Sequence, residues 1–243
     1  MPVNLENRKV PKRNIPIGIV IDCSRSTDTI QDRLNRSIRH LLSQLRNDAE
    51  LCKQVEIMAI HYNELPTVIA DFDRPLSEMA DDALDIRKCE GATNTGQALL
   101  TAIDKLQVFQ LKCEGQRERC STPLLFLFTD GRPYAGDGAP EYAVKLCEEY
   151  YQKAAASIRE KEGAKPEMIY FYAAGIQQSN GHCADMEKLA ELTSHPDHVM
   201  KVSDDEEASN SIKQFCEVIR QAATALSSCT PLDDMFNAFI GLA

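Results

Sequence analysis

Residues 15–26, I-P-I-G-I-V-I-D-C-S-R-S, constrain the fold more than any other part of this chain. Ile17, Ile19, Val20 and Ile21 form a near-continuous β-branched run that reads as a strand buried on both faces. Such strands belong to parallel sheets covered by helices on both sides. The run stops abruptly at three small oxygen-bearing side chains, Asp22, Ser24 and Ser26. In open α/β sheets ligands bind just beyond the carboxyl ends of the strands, and Asp22 begins at that edge. A carboxylate with hydroxyls two and four residues later turns three hard oxygens toward one point. That donor set suits Mg²⁺ or Mn²⁺ better than any soft metal.

The rest of the chain alternates as such a sheet requires. Residues 27–47 carry Ile30, Leu34, Ile38, Leu41, Leu42 and Leu45 at helical spacing. Residues 55–61 and 67–72 read as strands joined by a turn over 63–66, too short for a parallel crossover, so they form an antiparallel hairpin. The acidic stretch 73–90 is weakly periodic and predicts no more than a short helix within a loop. It leads to G-A-T-N-T-G at 91–96, a loop entering a helix on which Ala98, Leu99, Ala102, Ile103 and Leu106 share a face. Thr93 is expected at the ligand point, where Gly91 and Ala92 allow a close approach, and Thr95 is expected to cap the helix. Residues 124–128, L-L-F-L-F, are a fourth strand apolar on both faces, ending at Thr129-Asp130-Gly131. Beside the first strand at a topological switch point, it would bring Asp130 to the crevice of Asp22. A helix over 140–162, a strand over 168–173, a short helix near 185–192 and a strand over 199–202 continue the pattern. Ser203-Asp-Asp-Glu206 reads as a capping box for a last helix burying Ala208, Ile212, Phe215, Cys216, Ile219 and Ala223. The expected fold is a doubly wound, mostly parallel six-stranded α/β sheet with helices on both faces and one antiparallel edge strand.

Asp22, Ser24 and Ser26 on one loop, Thr93 on a second and Asp130 on a third resemble the metal-ion-dependent adhesion site (MIDAS) of the von Willebrand factor A (VWA) domain. Its pattern is D-x-S-x-S, then a Thr in a Gly-x-Thr loop, then an Asp ending the fourth strand. The likeness covers residues 15–225. It implies that Ser24 and Ser26 coordinate Mg²⁺ directly, with Mn²⁺ or Ca²⁺ as alternatives. It also implies that Asp22, Thr93 and Asp130 bind or orient the ion, and that a partner protein fills the open position with an Asp or Glu carboxylate. The family's usual Gly within D-x-S-x-S is Arg25 here, which either weakens the ion or offers an acidic partner a second contact. Cys23 is expected to face the core. Within the family the wording resembles the intracellular bacterial branch typified by the tellurium-resistance protein TerY, whose domains are thought to act beside a kinase and a phosphatase. The expected organisation is a polar leader over 1–14, the VWA domain over 15–228 and an amphipathic tail over 229–243. The tail carries Leu232, Met235, Phe236, Phe239 and Ile240, which must lie on something because so short a helix is unstable alone.

Composition narrows the function. A net charge of −10 argues against a nucleic-acid surface. No stretch approaches a membrane span, and the basic residues Arg8, Lys9, Lys12 and Arg13 precede no signal-type apolar segment, so a cytoplasmic location is expected. Nine cysteines, an odd number without a C-x-x-C pair, favour reduced thiols; Cys113 and Cys120, flanking the charged loop E-G-Q-R-E-R, are the pair to watch and read as two ordinary thiols. His182, Cys183, His195 and His198 are possible zinc donors, but their irregular spacing reads as solvated loop residues. An enzyme of the haloacid-dehalogenase type would need an Asp where Ser24 stands. No phosphate-cradling glycine motif occurs, nor any Ser/His/Asp motif. Neutral hydroxyl ligands leave an ion electrophilic and fit carboxylate capture better than water activation. A binding module without catalytic residues is therefore expected, with a Mg²⁺-dependent phosphatase or a metal-free VWA scaffold as the rival readings.

Overall fold

The computed structural model describes residues 13–163, 168–178, 183–203, 209–229 and 232. In chain order the elements are β1 (Arg13–Asp22), a 3₁₀ turn (Arg25–Ile30), α1 (Gln31–Asn47), α2 (Leu51–Gln54), β2 (Val55–Tyr62) and β3 (Pro66–Asp71). There follow α3 (Thr95–Gly115), β4 (Arg119–Cys120), β5 (Leu124–Thr129), α4 (Glu141–Lys161), β6 (Tyr170–Gln177), α5 (Met186–Ala190), β7 (Val199–Ser203) and α6 (Ser209–Ser227). The sheet runs β3-β2-β1-β5-β6-β7. Every pairing is parallel except β2 with β3, the antiparallel hairpin at one edge.

Strand β1 occupies the centre because both of its faces are apolar. Ile15, Ile17, Ile19 and Ile21 enter a core that also holds Leu34, Ile38 and Leu41 of α1 and Phe215 and Ile219 of α6. Val20 enters the opposite core with Leu99 and Leu106 of α3, Tyr151 and Ile158 of α4, and Leu125 and Leu127 of β5. Period-two alternation along one strand thus builds both layers of the doubly wound fold. β2 and β5 flank β1 on opposite sides, so the sequence order reverses at β1 and a crevice opens above its carboxyl end.

Four details depart from the sequence expectation. The sheet has seven strands, not six. The added β4 is two residues long and pairs Arg13 and Asn14 with Arg119 and Cys120, so β1 starts at Arg13; a two-residue strand carries no apolar alternation to read. Residues 25–30 are 3₁₀ and not α, because the Thr27 N–H and hydroxyl both donate to the Ser24 carbonyl, at 3.1 and 2.8 Å. β6 runs on through Gly175 to Gln177. A Cβ on Gly175 would lie 2.4 Å from the Met186 sulfur, so this glycine marks a close helix approach within the strand and not its end. The short helix expected within 73–90 is a single 3₁₀ turn, Leu76–Glu78. That segment is held down by buried Leu76, Met79, Leu84 and Ile86, and by Asn35 of α1, which exchanges hydrogen bonds of 2.8 and 3.0 Å with the Ile86 backbone.

All nine cysteines are free thiols. Burial pushes Cys120 up to about 12, the behaviour of an unreactive thiol. Among the described residues no helix is long and apolar enough to cross a membrane. Leu232 is buried in the core beneath α6; the rest of the tail stripe and residues 204–206 of the capping box lie outside the described residues.

Helices α3 and α4 meet at Gly96, where an added Cβ would fall 2.2 Å from the Tyr151 nitrogen and 2.3 Å from the Tyr150 carbonyl carbon. Backbone cannot yield as a flexible side chain does. Gly96→Ala is therefore expected to destabilise the protein by about 1–3 kcal/mol or more. Gly115→Ala, with nothing within 4 Å of the new methyl, is expected to change stability by less than about 1 kcal/mol. Urea denaturation of the two variants checks the contrast.

Candidate metal centre

Each of the oxygen-bearing residues is delivered by a structural stop. β1 ends at Asp22, and Ser24 and Ser26 follow on the tight turn made by Thr27. β5 ends at Thr129, placing Asp130 one residue beyond the buried strand. The loop before α3 carries Thr93, tied by antiparallel backbone bonds of 2.8 and 2.9 Å to Tyr134 on the loop after β5. Three loops therefore meet above the carboxyl ends of β1 and β5.

The side chains converge. The Ser24 and Ser26 hydroxyls are 3.1 Å apart, and the Ser26 hydroxyl donates to Asp130 Oδ1 at 2.9 Å. Asp22 Oδ1 accepts the Ser24 N–H at 2.9 Å. Its Oδ2 accepts hydroxyl bonds from Thr129 at 2.6 Å and Tyr62 at 3.3 Å. A Cβ built on Gly131 would lie 3.6 Å from the Thr93 hydroxyl and 3.9 Å from Asp22 Oδ2, so Thr93 adjoins the same point and Gly131 keeps it open. Asp22, Ser24, Thr93 and Asp130 are buried and Ser26 is half-buried. Ser24, Ser26, Thr93 and Asp130 line an open cleft of about 1120 Å³, together with Arg25, Glu64, Arg132, Tyr134 and Cys183; Asp22 is buried and does not line it.

Electrostatics follows from this burial. Desolvation pushes the Asp22 carboxyl above its ordinary range. It also pushes Asp130 up, to about 7, with the Asp22 charge as the second cause. Two buried carboxylates beside three neutral hydroxyls, with no Lys or Arg side chain bonded to either carboxylate among the described residues, are a site that favours a cation. The donor set is entirely oxygen, which fits a hard divalent ion.

Sequence reasoning missed three supports. Gln178, just beyond β6, donates from Nε2 to Asp130 Oδ2 and to the Ser26 carbonyl at 2.9 Å, while its Oε1 accepts the Thr29 hydroxyl at 2.5 Å. Tyr62 and Thr129 hold Asp22 from the ends of the two strands flanking β1. None of the three has a local pattern that points to the site. Asp22 and Asp130, at the strand ends, are both buried. One expectation is corrected. Thr95 is not the helix cap: Asn94 accepts the Gln97 N–H at 3.4 Å, and the buried Thr95 hydroxyl lies 3.2 Å from Tyr62 Oη. Arg25 is exposed at the cleft rim and Cys23 packs in the core.

The family model described as the von Willebrand factor type A domain matches residues 17–214. The fold is similar to that of the PilB minor pilin from Streptococcus sanguinis, as its D319A mutant, with a TM-score of 0.59 at 14% identity over 93% of this chain and 65% of that one. It is also similar to the pilus adhesin SpaC from Lactobacillus rhamnosus GG, with a TM-score of 0.56 at 13% identity over 89% of this chain and 31% of that one. A third similar structure is the mussel-byssus proximal thread matrix protein 1 with a zinc-occupied MIDAS motif, with a TM-score of 0.53 at 12% identity over 86% and 48%. This chain spans less than two thirds of the length of each of these proteins, and at such identities the likeness speaks for fold alone. No curated protein matches the sequence.

Because Asn94 caps α3, Asn94→Ala is expected to cost about 1 kcal/mol. Thr95→Val, which leaves the cap intact but strips a partner from buried Tyr62, is expected to cost about 1–3 kcal/mol. Thermal melts of both variants decide between the two assignments of the loop.

Proposed function

The chain belongs to the von Willebrand factor type A domain family, and we propose that it is a metal-dependent protein-binding module whose partner presents an Asp or Glu carboxylate to the ion. What carries this reading is the convergence of oxygens from three separate loops: Ser24, Ser26, Thr93 and Asp130 line one open cleft, and buried Asp22 is tied to them through the Ser24 N–H and lies beside Gly131. Ser24 and Ser26 would be the direct ligands, and Asp22, Thr93 and Asp130 would bind or orient the ion. Mg²⁺ is the preferred occupant, with Mn²⁺ or Ca²⁺ next, since every donor is a hard oxygen. The zinc-occupied MIDAS motif of the mussel protein is further support for a divalent ion at this pattern.

A bound ion would supply an electrophilic coordination position facing the cleft. The chain's own residues do the rest. Thr129, Tyr62 and the Ser24 N–H fix Asp22, and Gln178 and Ser26 fix Asp130, so the donors are positioned before a partner arrives. Arg25 at the rim offers a second contact to an acidic segment, which would add specificity and speed encounter. A binding role is favoured over a hydrolytic one because Ser24 stands where a phosphatase of the haloacid-dehalogenase type needs its second Asp. The wording of residues 15–24 and 128–133 supports a cytoplasmic, TerY-like setting, in which the domain would assemble with a kinase and phosphatase pair.

The test is retention of partners from a cytosolic extract in Mg²⁺ and again in EDTA, with Ser26→Ala and Gln178→Leu as variants. Wild-type retention is expected to fall at least about tenfold in EDTA and in Ser26→Ala, and about 10–100-fold in Gln178→Leu through loss of ligand orientation, with far-UV circular dichroism unchanged. Retention indifferent to EDTA would refute the metal-dependent reading. Mg²⁺-dependent turnover of a generic phosphatase substrate that disappears in Ser26→Ala would establish the hydrolase instead.

A further inference from the structure

A second group of metal-ligating side chains lies at the opposite, amino-terminal end of the strands. His195, Asp197 and His198 occur in the sequence H-P-D-H, and one potential ligand atom from each lies within 4.8 Å of the others. Pro196–His198 form a single 3₁₀ turn with His195 at its N-cap. Residues three apart eclipse in such a turn, and the two imidazoles accordingly stack, with centroids 4.8 Å apart and planes 27° from parallel.

The turn is fixed on both sides. The Glu162 carboxylate, at the end of α4, accepts the Thr193 hydroxyl and the Ser194 N–H, and the Thr193 hydroxyl oxygen accepts the His195 N–H at 2.9 Å. His198 Nδ1 lies 3.1 Å from the Phe171 carbonyl oxygen of β6. A carbonyl can only accept, so Nδ1 carries the proton and the lone pair is on Nε2. A backbone carbonyl orienting one ring nitrogen while the other serves as ligand is the usual arrangement around a metal-bound histidine. The His198 ring is further held against Tyr172, centroids 4.4 Å apart.

We propose that His195, Asp197 and His198 together bind one divalent transition-metal ion, Zn²⁺ or an ion of similar softness, through two imidazole nitrogens and a carboxylate oxygen. Donors on a tetrahedral zinc, each about 2.0–2.1 Å from the ion, stand about 3.4 Å from one another. Closing from 4.8 Å therefore needs movements of about an ångström, available to His195 and Asp197, which are exposed, while His198 stays anchored on β6. Three protein ligands leave a fourth position to solvent or to a further donor. Sequence spacing grouped His195 and His198 with His182 and Cys183. Cys183 lies instead at the oxygen-lined cleft, His182 is outside the described residues, and the third donor beside the two histidines is Asp197. Imidazole nitrogen selects ions that the all-oxygen centre does not, so the two sites would sort different metals.

The test is Zn²⁺ titration of the full chain against a chromophoric chelator in excess Mg²⁺, with the visible spectrum of Co²⁺ as a second probe. The wild type and Ser26→Ala are expected to bind one Zn²⁺ with equal affinity. His195→Gln and Asp197→Asn, both at exposed positions, are expected to lose at least about tenfold and to change the Co²⁺ bands while keeping their circular dichroism. Undiminished affinity in both His195→Gln and Asp197→Asn would overturn the proposal. So would loss of all Zn²⁺ binding in Ser26→Ala, which would place the ion in the oxygen-lined centre, or a wild type that binds no Zn²⁺.

Discussion

A carboxylate buried at the end of a central strand organises the polar edge of this protein's sheet. Asp22 is withdrawn from water, and an uncompensated buried charge is among the costliest things a fold can contain. Its donors come from Tyr62 at the end of β2, Thr129 at the end of β5 and the backbone of its own loop. The two side-chain donors reach it only because all three strands stop in step: Asp22 pairs with Tyr62, and Ile21 with Phe128, the residue before Thr129. Sheet register, itself fixed by the apolar alternation of β1, thereby sets the geometry of the polar edge. A slip of one residue would send Ile15, Ile17, Ile19 and Ile21 to the wrong layer and carry Asp22 away from its donors.

How much of this was legible in the sequence depends on whether a feature leaves a local mark. The doubly apolar runs of β1 and β5, their abrupt ends in Asp22 and Asp130, and the helical face of α3 are patterns of neighbours, and each is found where its pattern placed it. The sheet order around β1 follows from the same patterns together with the crossover rule. Gln178, Tyr62 and Thr129 are different. Each reaches the centre through contacts 40 to 152 residues distant in sequence, and a lone Gln or Tyr after a strand says nothing about what it will touch. Thr95 shows a subtler failure. Residues of the Ser, Thr, Asn and Asp type compete for a helix cap, and Asn94, one residue earlier, takes it while Thr95 turns inward to Tyr62.

The two candidate metal centres occupy opposite ends of one sheet and differ in chemistry. At the carboxyl end, oxygens from three loops collect where strand order reverses, which is a property of the topology. At the amino end, two imidazoles and a carboxylate come from four consecutive residues, and their alignment is a property of one 3₁₀ turn braced by Glu162 and Phe171. The first arrangement depends on the whole sheet. The second needs only the ends of α4 and β6 to stay in place.

The close contact at Gly96 has a mechanical meaning. The loop that carries Thr93 runs straight into α3, α3 is keyed against the backbone of α4 without room for a methyl group, and Thr93 is bonded in both directions to Tyr134 on the segment that leads into α4. Loop, helix, helix and loop close into a ring with no slack. Any displacement of Thr93 must be shared by Tyr134 and the start of α4, so the two loops form one continuous wall of the cleft where the sequence draws two.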